Sequence, residues 1–498
     1  MKGLTARLRY LFGSSKGLAL GTVALIALTA AFMGMLSGPM AEWGVRDFWI
    51  RLWGMDLNPL EREGRLIFLY HAFAMAVIAV EVYMLTGLYA MKESYKLIIH
   101  ILITVGYLSA MLFGLIFAYW GHNWVFHGLF IFGQALIFFA GVMLAVAFWP
   151  WSKDYRLPEG SPYWRLKGGV DGERLAVFIM VVATLISAIY GAVPGSFYGH
   201  GFEVFLSEDI IRIPYHTPLQ LAIVGHLHIM LVDIAVAAVF IVSRWVDFKG
   251  WTQKWAMPLN IIGTVIISIG AWLVVPMRPI AHHIINVGAS FLMLASVFMA
   301  IYVWRRQIEK GLAEMGLSYQ EARFGQKLRA LFRDPLPWGA TWLMLFMNLV
   351  VTAPGVYMAI KLEMFRHWLL REEKIGLVGH WHILAFVIAA ILLLYYIDLA
   401  GVRGKARQWL GWIVILGNMV ATTGANVLIL KRVFVPEILE QPLVSRTLLV
   451  MDIALFSFLT ALAAFLMWRL VDLFKPDGRW VEEWRNPAFT PLYEEDTP

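Results

Sequence analysis

Apolar runs of about 20 residues or more, the length a helix needs to cross a hydrocarbon core, recur along this chain between short polar breaks. They lie near residues 18–37, 65–91, 95–119, 124–149, 173–195 and 217–243, then 255–284, 286–304, 337–360, 375–398, 409–430 and 447–470. Unbroken runs of this length are too long for buried strands and too uniformly apolar for surface helices, so the pattern predicts an all-α polytopic membrane protein with about twelve transmembrane helices. Pro276 and Pro279 blur the end of the seventh run. The charged stretch 305–334 predicts a solvated helix between spans eight and nine. With no internal repeat, the chain reads as one membrane catalytic domain, 1–474, followed by a peripheral cytoplasmic tail, 475–498, rich in acid, Pro and Trp.

Composition agrees with the pattern. The 498 residues are 60% hydrophobic and 15% charged, whereas soluble domains are about half apolar and about a quarter charged. A net charge of +7 would suggest nucleic acid in a soluble protein, but here the basic residues have a topological use. With the N-terminus inside, most of the 41 Lys and Arg fall in inner segments, which predicts an N-in, C-in arrangement in the inner (cytoplasmic) membrane and no nucleic-acid partner. Lys2, Arg7, Arg9 and Lys16 precede the first run without a convincing small-residue cleavage site, so an uncleaved first span is expected. The absence of cysteine excludes disulfides, iron–sulfur clusters, CxxCH-attached heme and a dicysteine copper centre. Any cofactor must hang on histidine.

Six histidines then stand out. His71 lies on span two, His226 on span six, His282 and His283 at the outer end of span seven, and His380 and His382 on span ten. With span direction alternating, all six fall at one depth in the outer half of the membrane. Imidazole is the commonest metal ligand and is expensive to leave unpaired in lipid, so the layer points to buried redox metals. The plainer reading, satisfied polar core residues, accounts poorly for separate helices sharing one level. Two residues apart on a helix, His380 and His382 point roughly 200° apart and hold two different cofactors, with His71 a natural second axial ligand for one of them. The adjacent pair His282–His283 at a frayed helix end can converge on one ion, which an imidazole from span six completes. His226 is favoured for that role; His228 is the alternative, or adds a fourth ligand if the helix is bulged. His100, His122, His127, His200, His216 and His367 fall at helix ends or in loops and read as interfacial. Intramembrane acids read as functional by default: Asp233, two turns deeper than His226, and Glu81 on span two are relay candidates, or are satisfied by neighbouring hydroxyls. Proton uptake from the outer side is expected by way of Glu203, Glu208 or Asp209.

Four segments carry a resemblance: Leu69-Tyr70-His71-Ala72-Phe73-Ala74-Met75, Gly225-His226-Leu227-His228, Ala281-His282-His283 and Val378-Gly379-His380-Trp381-His382. In helix number, histidine order and spacing the chain resembles, over nearly its whole length, the catalytic subunit of the heme-copper oxidase superfamily, which comprises terminal oxidases and nitric oxide reductases. The resemblance implies that family's helical bundle, a low-spin heme between His71 and His382, a high-spin heme on His380, both b-type, and a non-heme iron, alternatively copper, on His226, His282 and His283. It also implies that Lys431 and Arg432 neutralise heme propionates. Oxidases of the family keep a tyrosine beside the non-heme metal, but Met230, Val232 and residues 274–281 supply none. That favours the reductase branch, which converts two NO to N2O and water, although Met230 stands where those reductases typically place a glutamate. A terminal oxidase reducing O2 and a non-catalytic diheme carrier are the alternatives, and the pair His282–His283 speaks against the carrier. A twelve-span transporter would instead show broken helices and charged midplane groups. The implied active site lies toward the outer, periplasmic side. The implied electron donor is a partner subunit, a cytochrome c, a cupredoxin or quinol.

Overall fold

Where the sequence is continuously apolar the chain is helical, because in lipid only bonding within the segment satisfies every backbone amide. The computed structural model describes residues 2–37, 41, 43–57, 62–121, 123–198, 218–358, 360 and 370–475. Among these, twelve helices are long and apolar enough to cross a bilayer and no strand occurs, only a lone bridge between Arg165 and Asp171. The chain is therefore an all-α, multi-pass membrane protein. Short α1 (Lys2–Gly13) and the first span α2 (Ser15–Ser37) precede α3 (Val45–Trp53), α4 (Arg62–Leu88), α5 (Glu93–Trp120) and α6 (Trp124–Ala147). Next come α7 (Gly172–Tyr198), α8 (Pro218–Trp245), α9 (Trp251–Trp272) and α10 (Val274–Ala313). Short α11 (Phe324–Leu331) leads to α12 (Pro335–Met347), which a single π-turn, Asn348–Thr352, joins to α13 (Ala353–Met358). The last elements are α14 (Leu370–Leu399), α15 (Gly404–Ile429), α16 (Lys431–Phe434) and α17 (Glu440–Phe474).

One boundary departs from the sequence expectation. The apolar pattern carries the seventh span past His282 and His283, whereas the chain turns at Leu273 and Val274 already begins α10. The turn is invisible to hydropathy because Trp272, Leu273 and Val274 are all apolar. Pro276 lies among the first four residues of α10, whose amides need no partner inside the helix, and between it and Pro279 Met277 is kinked out of helical geometry (φ −144°, ψ 51°). The charged stretch 305–334 is likewise not one solvated helix: α10 runs on to Ala313 and α11 takes up part of the remainder.

The described chain divides into two compact units, Met1–Phe148 with Leu185–Ile223 and Leu470–Pro498, and Trp149–Thr184 with Val224–Arg469. In the first, α5 and α6 meet through glycine: a Cβ on Gly133 would lie 2.7 Å from the Gly106 carbonyl oxygen. Small residues let membrane helices approach closely enough for backbone-level packing. Phe68, Phe117 and Phe130 fill the adjoining core, with Phe68 stacked on Phe117 at 4.4 Å.

The second unit is tied together at the ends of its helices by charge. Asp334 caps α12 by accepting from the Leu336 amide at 3.3 Å, and Arg407 donates to it at 2.9 and 2.8 Å. The same guanidinium pairs with Asp398, which also accepts from the Trp245 indole at 2.6 Å. Nearby elements repeat the device. Asp171 caps α7 through the Glu173 and Arg174 amides, and Arg244 pairs with Asp171 at 3.0 Å and Glu173 at 3.2 Å. In the connecting segment before α7, the Tyr163 hydroxyl donates to Asp247 at 2.5 Å. Burial, then that hydrogen bond and the Asp247 charge, hold the Tyr163 phenol well above its ordinary value.

Candidate functional site

His380 and His382 sit two residues apart on regular helix in α14 and leave it on opposite sides, as the 3.6-residue period requires. His380 is half-buried and His382 exposed. Against His380 lies Gly355 of α13, where an added Cβ would fall 2.9 Å from Cε1, 3.3 Å from Nε2 and 3.8 Å from Nδ1. A side chain at this position would crowd the imidazole. The Nδ1 atom is buried and has no hydrogen-bond partner among the described residues. A buried polar atom left in this way costs about 1–3 kcal/mol.

Of the two α8 histidines, both half-buried, His228 is the one whose charge acts on His380. His226 lies roughly 200° around the helix from His228.

His282 and His283 lie beyond the Met277 kink on regular helix, not at a frayed end. Adjacent helical residues diverge by about 100°, and accordingly His282 is half-buried and His283 exposed. Among the described residues no three His, Asp or Glu side chains stand close enough to hold a metal ion. The expected centre on His226, His282 and His283, with or without His228, is therefore not assembled. The physical reason is the unbroken helix through the pair, which prevents the convergence that fraying would allow.

A polar seam runs beside α14 in the same unit. Asn418, Thr422 and Asn426 recur every fourth residue along α15, and Asn426 donates to the Val350 carbonyl of the π-turn at 2.8 Å. Asn418 donates to the Phe386 carbonyl of α14 at 3.0 Å. The Oδ1 atoms of Asn418 and Asn426 are buried without a partner among the described residues. π-turns of this kind are frequent at functional sites.

Asp233 of α8 is 3% exposed and accepts from the Thr184 hydroxyl at 3.0 Å through Oδ2, while Oδ1 has no partner among the described residues. In the first unit, His71 on α4 lies edge-on to Phe130 with ring centres 6.4 Å apart, and Glu81 is buried. Lys431 is buried with its ammonium 4.0 Å from Glu440. The side chain of Arg432, together with Glu203, Glu208, Asp209 and the tail beyond Lys475, lies outside the described residues. One histidine differs plainly from expectation: His100 is not interfacial but buried within α5, 2.8 Å from the Thr86 hydroxyl. Gly355 and the Asn418–Thr422–Asn426 seam were not anticipated; only the four-residue recurrence of the seam was there to be read.

Searches of protein-family models, of curated proteins and of solved structures find no match to this chain. Its chemistry must therefore be argued from its own residues. The surroundings of His380 fit an axial ligand to heme, since a glycine sets the plane of the ring and a second imidazole stands within electrostatic reach.

Proposed function

We propose that the chain is a membrane oxidoreductase carrying two b-type hemes, one on His380 and one on His382, and that it reduces nitric oxide to nitrous oxide at the heme held by His380. The observation that carries this is the His380 site itself: a half-buried imidazole seated on Gly355, whose Nδ1 has no partner among the described residues and which feels the charge of His228 from another helix. When bound, heme supplies a redox iron accessible to a small gas. The chain's own residues supply the rest. Gly355 holds the His380 ring in one orientation, and His228 brings a proton-bearing group close to it. Asp233, five residues further along α8, about 7.5 Å by helical rise, is a buried acid fixed by Thr184. It suits the storage of a proton for the same chemistry.

The reaction consumes two NO, two electrons and two protons, and forms N2O and water. It makes no demand for a side-chain radical, which accords with Met230 and Val232 standing where a tyrosine donor would be needed for O2. Electrons come from a partner subunit, cytochrome c, cupredoxin or quinol, and NO, being small and apolar, reaches the site through the bilayer. No step is assigned to a second metal. The test is anaerobic: chemically reduced, purified protein is given NO, and both NO loss and N2O are followed. NO consumption with stoichiometric N2O, abolished in His380→Ala, is the expected result. Inertness toward NO with rapid O2 consumption would make the chain a terminal oxidase, and inertness toward both would remove the enzymatic reading.

A further inference from the structure

Helices α2, α4 and α5 of the first unit bury a line of polar side chains that the chemistry above does not use. Nearest the membrane face where α2 begins, Thr86 Oγ1 lies 2.8 Å and Ser15 Oγ 3.4 Å from His100 Nε2. Deeper, the Tyr83 hydroxyl is 2.6 Å from Thr104 Oγ1, and Thr22 Oγ1 lies 2.9 Å from the Tyr107 hydroxyl and 2.8 Å from the Leu18 carbonyl oxygen, close enough to Tyr83 to act on it. The two groups meet through their rings, His100 and Tyr83 being edge to face with centres 5.4 Å apart. Ser15, Thr22, Tyr83, Thr86, His100 and Tyr107 are all buried. On α2 the hydroxyls recur at seven-residue intervals through Ser15, Thr22 and Thr29, all three buried, so one face of that helix continues the line about 10 Å beyond Thr22. Lys96, one turn before His100 on α5, is the charged group that acts on it.

Helix packing alone does not call for this. Hydrogen bonds between membrane helices contribute on average about 0.6 kcal/mol each, so small apolar residues would seal the same interface with less desolvation. What distinguishes the line is that every hydroxyl in it can accept one proton while releasing another, and that its only ring with two titratable nitrogens, His100, stands nearest the membrane face.

We propose that Ser15, Thr86, His100, Tyr83, Thr104, Thr22 and Tyr107 form a proton-conducting chain that admits protons from the membrane face where α2 begins into the middle of the first unit. A proton taken up at one His100 ring nitrogen is matched by one released from the other, and each hydroxyl then passes its own proton forward as it accepts the next. No bond other than O–H or N–H is made or broken, and no electron moves. Two steps have no direct hydrogen bond: that from His100 to Tyr83 proceeds by rotation of the imidazole or through one bridging water, and that from Tyr83 to Thr22 by rotation of the hydroxyls or through one bridging water. That these protons serve NO reduction rests on the function proposed above; the conduction itself does not. It also places uptake on the face opposite to the one expected from Glu203, Glu208 and Asp209.

The experiment is infrared hydrogen–deuterium exchange on the full chain in lipid nanodiscs, using ring-labelled tyrosine, with Tyr83→Phe and Tyr107→Phe assigning the bands. On transfer to D2O the Tyr107 hydroxyl should exchange readily in the wild type and roughly tenfold or more slowly in His100→Phe. Thr86→Val, which removes the 2.8 Å link to His100 while keeping its shape, should slow it in the same direction and stands in if the first variant fails to fold. Equal exchange rates in wild type and folded variant, or a wild-type Tyr107 hydroxyl that does not exchange over hours, would overturn the proposal. Heme content and turnover do not enter the readout, so its failure is separable from failure of the proposed activity.

Discussion

Gly355→Ala is the most economical perturbation of the His380 site, because one methyl group must occupy space the imidazole already uses. The added carbon would sit 2.9 Å from Cε1 and 3.3 Å from Nε2, where ordinary carbon contacts begin near 3.5 Å. The ring must therefore retreat by about half an ångström or leave its rotamer. Overpacking of this size costs about 1–3 kcal/mol, and an off-rotamer ring about 0.5–1.5 kcal/mol. Against this, alanine in place of glycine favours the helix by up to about 1 kcal/mol. The terms partly cancel, so thermal stability is a poor readout and the ligand geometry a good one. Purified in detergent, Gly355→Ala should keep its helicity and membrane insertion while the absorption and electron paramagnetic resonance signals of a heme bound through His380 shift or vanish. NO turnover should fall with them. If heme content, spectra and turnover of the variant all match the wild type, His380 is not the ligand, and Gly355 matters only for packing.

Three further outcomes follow from the same geometry. Because the His228 charge acts on His380, His228→Ala should alter the spectrum and NO binding of reduced protein; an unchanged spectrum and unchanged binding would remove His228 from the site. Arg407→Met should lower stability by about 2–4 kcal/mol, since it strands Asp398 and Asp334 at the ends of three helices, while Glu309→Gln, which breaks the exposed pair with Arg305, should leave it nearly unchanged; thermal unfolding in detergent separates the two. Tyr163 ionises above its ordinary 10.0 in the folded chain, so its contribution is present below that value and is lost as pH rises through the folded one; melting curves at increasing alkaline pH should fall less steeply for Tyr163→Phe, and parallel curves would contradict the assignment.

How much of this was legible in the sequence depends on whether the deciding partner is local. The twelve spans were, because each is an unbroken apolar run and lipid leaves the backbone no alternative to the helix. So was the divergence of His380 and His382, which follows from helical periodicity alone. The turn at Leu273 was not, because apolar residues flank it on both sides, and missing it moved His282 and His283 from the frayed end of one helix to regular helix in the next. Gly355 could not be tied to His380 across distant sequence without coordinates. His100 looked interfacial for a similar reason: two turns from the start of α5, it is buried only because Thr86 and Ser15 arrive from two other helices.

The central claim is that His380 and His382 of this membrane protein hold heme, and the pyridine hemochrome of the purified wild-type chain tests it most directly. The account predicts a b-type spectrum with two hemes per polypeptide. A preparation that is folded and membrane-derived from heme-sufficient cells yet contains no heme would contradict it.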